Sequence, residues 1–167
     1  LWNNFQWVLR YIEAAPRPVN IVKTYGADGG RHGNTKDAIE RWWLHLLGGA
    51  ASVRFHRPDT GLGLSDLSIS SIRAARKLES IATPWELQPN NGLLMGRKEN
   101  QAYLTCVPGK VYVAFLPNGG SIQLDRKGDP SKFAVRYLNI RPAKEITQAT
   151  QLSAPGNNEW LIVVVKK

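Results

Sequence analysis

Two short loops hold most of the residues in this sequence that could bind or react with a substrate. Each loop follows a short run of apolar and β-branched residues, at 19–24 and at 51–55, which predicts a strand. Their polar side chains are Lys23, Tyr25, Asp28, Arg31 and His32 in the first loop and Arg54, His56, Arg57 and Asp59 in the second. Because active sites of parallel α/β folds gather at the carboxyl ends of strands, we expect the two loops to line one site.

The residue types in these loops suit chemistry on a hydroxyl-rich ligand. Asp28 and Asp59 offer two carboxyl groups, and glycoside hydrolysis uses such a pair about 5–5.5 Å apart for retention or ~6.5–9.5 Å apart for inversion. Lys, Arg, His and Tyr side chains would then hold hydroxyl or carboxylate groups of the glycan. The competing interpretation is structural, since glycine- and aspartate-rich loops are common turn formers.

Other reaction types have weaker support. The glycine-rich segment 26–30 has neither the Rossmann spacing nor the Gly-Lys-Ser/Thr of a P-loop, and no Gly-x-Ser-x-Gly elbow occurs. His32 and His56 have no assigned third ligand, so we predict no metal and no cofactor. The single Cys106 excludes an internal disulfide framework.

Aromatic residues and the remaining histidine are mostly assigned to the interior. His45 lies in the middle of a predicted helix beside two tryptophans, where a packed histidine is the usual case. The tryptophans are mostly expected in the core. For Trp85 and Trp160 an alternative stays open, in which each is an exposed platform for stacking a sugar ring.

Helices and strands alternate in the first half of the chain and must position the two loops. Apolar residues at helical spacing predict helices over 2–14, from a cap at Asn34 or Thr35 to Gly48-Gly49, and from Ser65 onward. With the two strands, the order is α-β-α-β-α. This order implies parallel strands joined by crossover helices.

The chain changes character at Pro84, after which short strands are separated by Pro, Gly and Asn turns. The predicted strands are 93–95, 102–107, 111–116, 121–124, 133–140 and 160–165. Such spacing is typical of an antiparallel β-sandwich. We therefore predict two domains, 1–83 and 84–167.

Charge and hydropathy limit the possible partners. The chain has 167 residues and a net charge of +9, divided as +4 over 1–83 and +5 over 84–167. Because this charge is spread along the sequence, we predict no nucleic-acid partner, only mild attraction to acidic partners. No apolar stretch approaches ~20 residues, so we predict no membrane partner.

Several segments resemble the closing part of bacterial glycoside-hydrolase-like proteins. In the first half they are 19–28, the helix around Arg41-Trp42-Trp43, 48–58, 61–65 and 72–79. In the second half they are 99–104, 108–113, 116–125 and 133–138. In that family a (β/α)₈ barrel precedes a small β-sandwich of a type labelled collagen-binding. The resemblance implies that 1–83 is a partial barrel segment, with its strands as the seventh and eighth.

The resemblance also implies where catalytic residues would lie. Related barrel glycosidases carry one carboxylate at the end of strand seven, where this sequence has Lys23, and another from strand four, which has no counterpart here. The residues left for acid–base work are Asp28 and Asp59, with the other polar loop residues binding substrate. The alternative is a non-catalytic module, from a truncated glycosidase, that binds carbohydrate or protein.

Three expectations concern the protein as a whole. The first residue is Leu1 inside a predicted helix, so we expect a piece of a longer protein. The resemblance implies a secreted or periplasmic parent protein, although no export signal lies in this sequence. Two parallel strands leave open sheet edges, so we predict a homo-oligomer, most simply a dimer that covers them.

Overall fold

The computed structural model describes residues 2–25, 33–56, 64–149 and 151–167. The chain divides into two compact units, Leu1–Arg73 and Ala74–Lys167. The predicted separation into independent domains at 83/84 stays a prediction.

The first unit contains alternating helices and parallel strands. Its elements are α1 (Trp2–Ala14), β1 (Asn20–Thr24), α2 (Thr35–Leu47), β2 (Ser52–Phe55) and the start of α3 (Asp66–Glu79). β1 and β2 pair in parallel. The predicted α-β-α-β-α order and the parallel pairing are therefore confirmed.

Local signals determine the ends of α2. The Asn34 side chain accepts a hydrogen bond from the Asp37 amide (3.0 Å), and the Asp37 carboxylate accepts one from the Asn34 amide (2.9 Å). This capping box satisfies two amides that a helix start would otherwise leave unpaired. Gly48 caps the other end, where its amide donates to the Leu44 carbonyl.

Trp42 connects α2 to β2 through a hydrogen bond and a ring contact. Its indole nitrogen donates to the Val53 carbonyl at 3.1 Å, and its ring stacks on Phe55 with centroids 5.2 Å apart. Because side chains alternate along a strand, Val53 and Phe55 lie on the helix-facing side of β2 and Ser52 and Arg54 on the opposite side.

The second unit is an antiparallel β structure. Its strands are β3 (Gln88–Pro89), β4 (Leu94–Met95), β5 (Tyr103–Val107), β6 (Val111–Leu116), β7 (Gly120–Ser121), β8 (Gln123–Leu124), β9 (Phe133–Asn139), β10 (Lys144–Ala149), β11 (Ser153–Ala154) and β12 (Trp160–Lys166). Six form one sheet in the order β10-β9-β12-β6-β5-β3, and the short ladders β4-β8 and β11-β7 lie outside it.

The short ladders pack on one face of the six-stranded sheet. The buried cluster combines Leu94 of β4, Leu124 of β8 and Ala154 of β11 with residues of β5, β6, β9 and β12, such as Leu104 and Ile162. This two-layered packing supports the predicted antiparallel arrangement.

Three strands differ from the sequence prediction. β3, β10 and β11 were not predicted, because two contain only two residues and β10 is a polar edge strand, Lys-Glu-Ile-Thr-Gln-Ala, without a strongly apolar face. The predicted strand 121–124 is interrupted at Ile122, and its parts pair with different partners.

The two tryptophans left open by the sequence have different surroundings. Trp160 is 4% exposed and belongs to the core of the antiparallel unit, so its interpretation as an exposed platform is wrong. Trp85 is 76% exposed, in a short 3-10 helix over Pro84–Glu86.

An ion pair between a partly exposed arginine and a buried glutamate joins two turns of the antiparallel unit. Glu159 has a side chain only 1% exposed and accepts hydrogen bonds from the Arg141 guanidinium at 2.7 and 3.0 Å. The Ile140 amide donates to the Glu159 carbonyl, which ties the turn after β9 to the start of β12.

Candidate functional site

The carboxyl ends of β1 and β2 lie side by side, as expected for neighbouring parallel strands. Thr24 pairs with Phe55, and the His56 amide donates to the Thr24 carbonyl at 2.9 Å. This bond extends the ladder one residue beyond β2. It places the first residues of the two polar loops, Tyr25 and His56, next to each other.

The rings of Tyr25 and His56 stack at this edge. Their centroids are 4.5 Å apart and their planes differ by 22°, and both side chains are half-buried. The pair therefore places two aromatic rings at the strand ends, one from each predicted loop.

Two cationic predicted residues occupy the same strands. Lys23 and Arg54 are both exposed. The Ser52 hydroxyl donates to the Asn20 side-chain oxygen at 2.8 Å, so these two side chains share one face of the sheet. Because side chains alternate, Arg54 and His56 follow Ser52 on that face, opposite the side that packs on Trp42.

The other predicted site residues fall outside the described residues. These are Asp28, Arg31, His32, Arg57 and Asp59. Their grouping with Tyr25 and His56 stays a prediction from the sequence. Of the nine predicted site residues, the structure describes Lys23, Tyr25, Arg54 and His56.

Carboxylates are scarce among the described residues at this edge. β1 and β2 contain neither Asp nor Glu. Asp37, at the start of the helix that follows β1, is engaged in the capping box. A carboxylate pair for hydrolysis would therefore have to come from the loops that carry Asp28 and Asp59.

Thr24 and Trp42 contribute to this edge although the sequence did not single them out. The Thr24 hydroxyl is buried and has no hydrogen-bond partner in the described part of the chain. Trp42 positions β2 through Val53 and Phe55. No local sequence pattern marks either residue, because Thr24 contacts this edge through its hydrogen bond with His56, and Trp42 does so through Val53 and Phe55.

The described residues contain neither a candidate metal site nor a candidate membrane span. No group of three His, Cys, Asp or Glu side chains within the described ranges is arranged to hold a metal ion. In those ranges, no helix combines the length and apolar character needed to span a bilayer.

Comparison with known proteins relates the fold to glycoside hydrolases. One similar solved structure is a glycoside hydrolase family 5 protein from Bacteroides vulgatus ATCC 8482, with a TM-score of 0.67, 16% identity, and coverage of 95% of this chain and 44% of that one. Another, described as a glycoside hydrolase, has a TM-score of 0.71, 14% identity, and coverage of 99% and 46%. No family model and no curated protein matches the sequence.

These similarities establish a glycoside-hydrolase-like fold. The chain spans under half the length of each of these two solved structures. At identities of 14–16% the likeness concerns the fold and not the activity. These comparisons do not support the expectation that the antiparallel unit is a sandwich of the collagen-binding type.

Proposed function

We propose that this chain binds a polysaccharide or oligosaccharide at the carboxyl ends of β1 and β2. The observation that carries the proposal is the Tyr25–His56 ring stack at that edge, 4.5 Å between centroids. A glycoside-hydrolase-like fold adds support, because the carboxyl ends of parallel strands are where β/α folds hold their ligands.

Each described residue has a defined part in such binding. The aromatic surface of Tyr25 and His56 accepts the apolar C–H face of a sugar ring, which excludes water from that face. Lys23 and Arg54 supply cationic hydrogen-bond donors for hydroxyl or carboxylate groups. Arg31, His32 and Arg57 would extend this set along the two loops.

Hydrolysis is a second step of the proposal and depends on Asp28 and Asp59. One carboxyl group would protonate the glycosidic oxygen as the bond to the anomeric carbon breaks. The other would attack that carbon or activate a water molecule. The alternative is a module that binds glycan or protein without cleaving it, and it is favoured by Lys23, which stands where the related barrels carry a carboxylate.

The test is affinity electrophoresis through gels containing neutral plant polysaccharides. The parent protein should be retarded by at least one of them, and Tyr25→Ala and His56→Ala should lose most of that retardation. Trp85→Ala is the matched control, since it removes a 76% exposed aromatic ring from the other unit. Retardation that survives both site substitutions contradicts the proposed location.

Release of reducing sugar from the retained polysaccharide separates hydrolysis from binding. Activity in the parent that is lost in Asp28→Asn or Asp59→Asn supports the catalytic pair. Retardation without any release above a buffer blank supports the binding module instead.

Self-association and export belong to the same proposal. We propose that two copies pair through the open edges of β1 and β2, because unpaired edges template further strands. Light scattering that shows a monomer at high concentration contradicts this. Export of the parent protein is tested by fractionation of cells that express it from its natural gene.

A further inference from the structure

Six cationic side chains lie at one end of the six-stranded sheet, although they are dispersed in sequence. Lys110 is in the turn between β5 and β6, Lys166 ends β12, and Lys132 directly precedes β9. We call the whole set the basic end; its members are Lys110, Arg126, Lys127, Lys132, Lys166 and Lys167.

Backbone hydrogen bonds hold four of these residues together. The Lys166 amide donates to the Lys110 carbonyl at 2.8 Å, and the Lys167 amide donates to the Lys132 carbonyl at 2.9 Å. β9, β12 and β6 are consecutive strands of the sheet. Lys132 therefore lies opposite Lys167, and Lys110 lies opposite Lys166. The two lysine pairs are at the ends of three adjacent strands, which are spaced roughly 5 Å apart.

Tyr112 attaches the remaining two residues to the same end. Its buried hydroxyl accepts a hydrogen bond from the Gly109 amide at 2.7 Å and donates one to the Arg126 carbonyl. The segment that carries Arg126 and Lys127 is thus fixed beside the turn that carries Lys110. The cationic residues therefore lie on backbone segments that are held by hydrogen bonds.

Few negative side chains offset this charge. Glu86 lies just before β3, whose antiparallel pairing with β5 directs this segment toward the same end. The other described carboxylates there are Asp125, which pairs with Lys127 at 2.6 Å, and Asp129, which accepts a hydrogen bond from the Ser131 amide. Both interactions lower the pKa of the aspartates, so the two stay ionised at neutral pH. Six cationic side chains face three carboxylates, and Lys110, Lys132 and Lys166 have no ion pair within the described ranges.

We propose that the basic end binds an acidic polysaccharide, a glycan chain with carboxylate or sulfate groups along its length. Exposed ammonium groups at the ends of three adjacent strands match a linear polymer with repeated charges. This surface differs from the Tyr25–His56 edge. The choice of a carbohydrate among polyanions rests on the proposed function.

Two other polyanionic partners fit the surface less well. Sequence-tolerant binding of single-stranded nucleic acid stacks successive bases on several exposed aromatic rings. Of the rings near this end, Tyr112 and Phe133 are 0% and 7% exposed, and Trp85, in the 3-10 helix before β3, offers a single exposed ring. Peripheral membrane binding uses several apolar side chains that enter the lipid. No large exposed apolar residue lies in the described segments 107–134 and 160–167, and the segment before β3 adds the single ring of Trp85. Lysine instead of arginine at five of six positions also suits point charges better than bidentate phosphate contacts.

The test measures the affinity of the full chain for polygalacturonate at two salt concentrations. The variant Lys110→Gln/Lys132→Gln/Lys166→Gln removes one lysine from each of the three strand ends, and Arg73→Gln/Lys77→Gln/Lys98→Gln removes the same charge from exposed positions elsewhere. At low salt we expect about tenfold weaker binding for the first variant, about 0.5 kcal/mol per lysine, and less than twofold for the second. Raising the salt should weaken binding by the parent more than binding by the first variant, because the variant has fewer charge contacts that salt can screen.

Three results would overturn the proposal. The first is an equal loss in both triple variants, which reduces the effect to net charge. The second is equal affinity for fully methyl-esterified polygalacturonate, which removes the role of carboxylates. The third is tighter binding of single-stranded RNA or of anionic phospholipid vesicles than of polygalacturonate at the higher salt. Tyr25→Ala separates the two proposals, since it should abolish neutral-glycan binding and leave polygalacturonate binding at the parental level.

Discussion

Removal of the Arg141 guanidinium leaves the Glu159 carboxylate buried without its ion-pair partner. The Glu159 side chain is 1% exposed, while that of Arg141 is 42% exposed. Breaking a fully buried pair in this way costs about 3–5 kcal/mol. Because water already reaches Arg141 and can partly replace it, we expect Arg141→Ala to lower the free energy of unfolding by about 2 kcal/mol.

The assay is urea denaturation followed by tryptophan fluorescence, which is sensitive to this region because the neighbouring Trp160 is 4% exposed. In thermal unfolding the same loss corresponds to a decrease in Tm of roughly 10 °C for a unit of this size. The matched control is Arg136→Ala, since Arg136 is nearly as exposed as Arg141 (41% against 42%) and pairs at 3.2 Å with Glu145, whose side chain is 24% exposed. We expect that control to cost under ~1 kcal/mol.

A double substitution tests the cause of the effect. Glu159→Gln removes the charge and keeps the shape, so Arg141→Ala/Glu159→Gln should be less destabilised than the sum of the two single variants. The reasoning is refuted if Arg141→Ala costs no more than Arg136→Ala, or if the two losses simply add.

Three further predictions concern single positions. Burial, and secondly the charge of Arg41, lower the pKa of His45 from 6.5 to about 4, so the unfolded chain takes up a proton between these pH values and the free energy of unfolding falls as the pH drops through them. With a discount for partial exposure, His45→Gln should reduce this acid-induced loss of stability by about 1 kcal/mol at pH 5. Urea denaturation of both proteins at pH 7.5 and pH 5 measures the difference. Gly119 has φ +63°, and a Cβ there would collide with the Gly156 carbonyl oxygen. Gly109 has φ +76°, but a Cβ there would have nothing within 4 Å, so Gly119→Ala should lower the free energy of unfolding by at least ~2 kcal/mol more than Gly109→Ala. Equal losses in the two variants would contradict the collision. Burial raises the pKa of the Cys106 thiol to about 11, so alkylation at pH 8 should be slow in the native protein and fast in denaturant; fast native labelling would show the site to be open.

Elements with signals inside a few residues could be predicted from the sequence. The helix from Asn34 to Gly48 carries its own cap and stop residues, and the described structure begins and ends it there. β6 and β12 are strongly apolar and were predicted within one residue. The polar edge strand β10 was missed, because its stability depends on pairing with β9 and not on its own composition.

Features that depend on long-range placement could not be predicted. The even spread of charge along the sequence hides the basic end, where Lys110 and Lys166 are hydrogen-bonded neighbours 56 positions apart. The pairing of two loops was expected from general rules for parallel strands. That Tyr25 and His56 in particular would stack depends on the ladder bond between His56 and Thr24, which no local pattern encodes.

Titration calorimetry with an oligosaccharide from the best-retained polysaccharide tests the central claim most directly. The account predicts saturable binding by the parent protein, at least tenfold weaker binding by Tyr25→Ala, a loss of about 1.4 kcal/mol, and parental affinity for Trp85→Ala. Parental affinity in Tyr25→Ala together with a loss in Trp85→Ala would contradict the account, since it would move the glycan site from the carboxyl ends of β1 and β2 to the antiparallel unit.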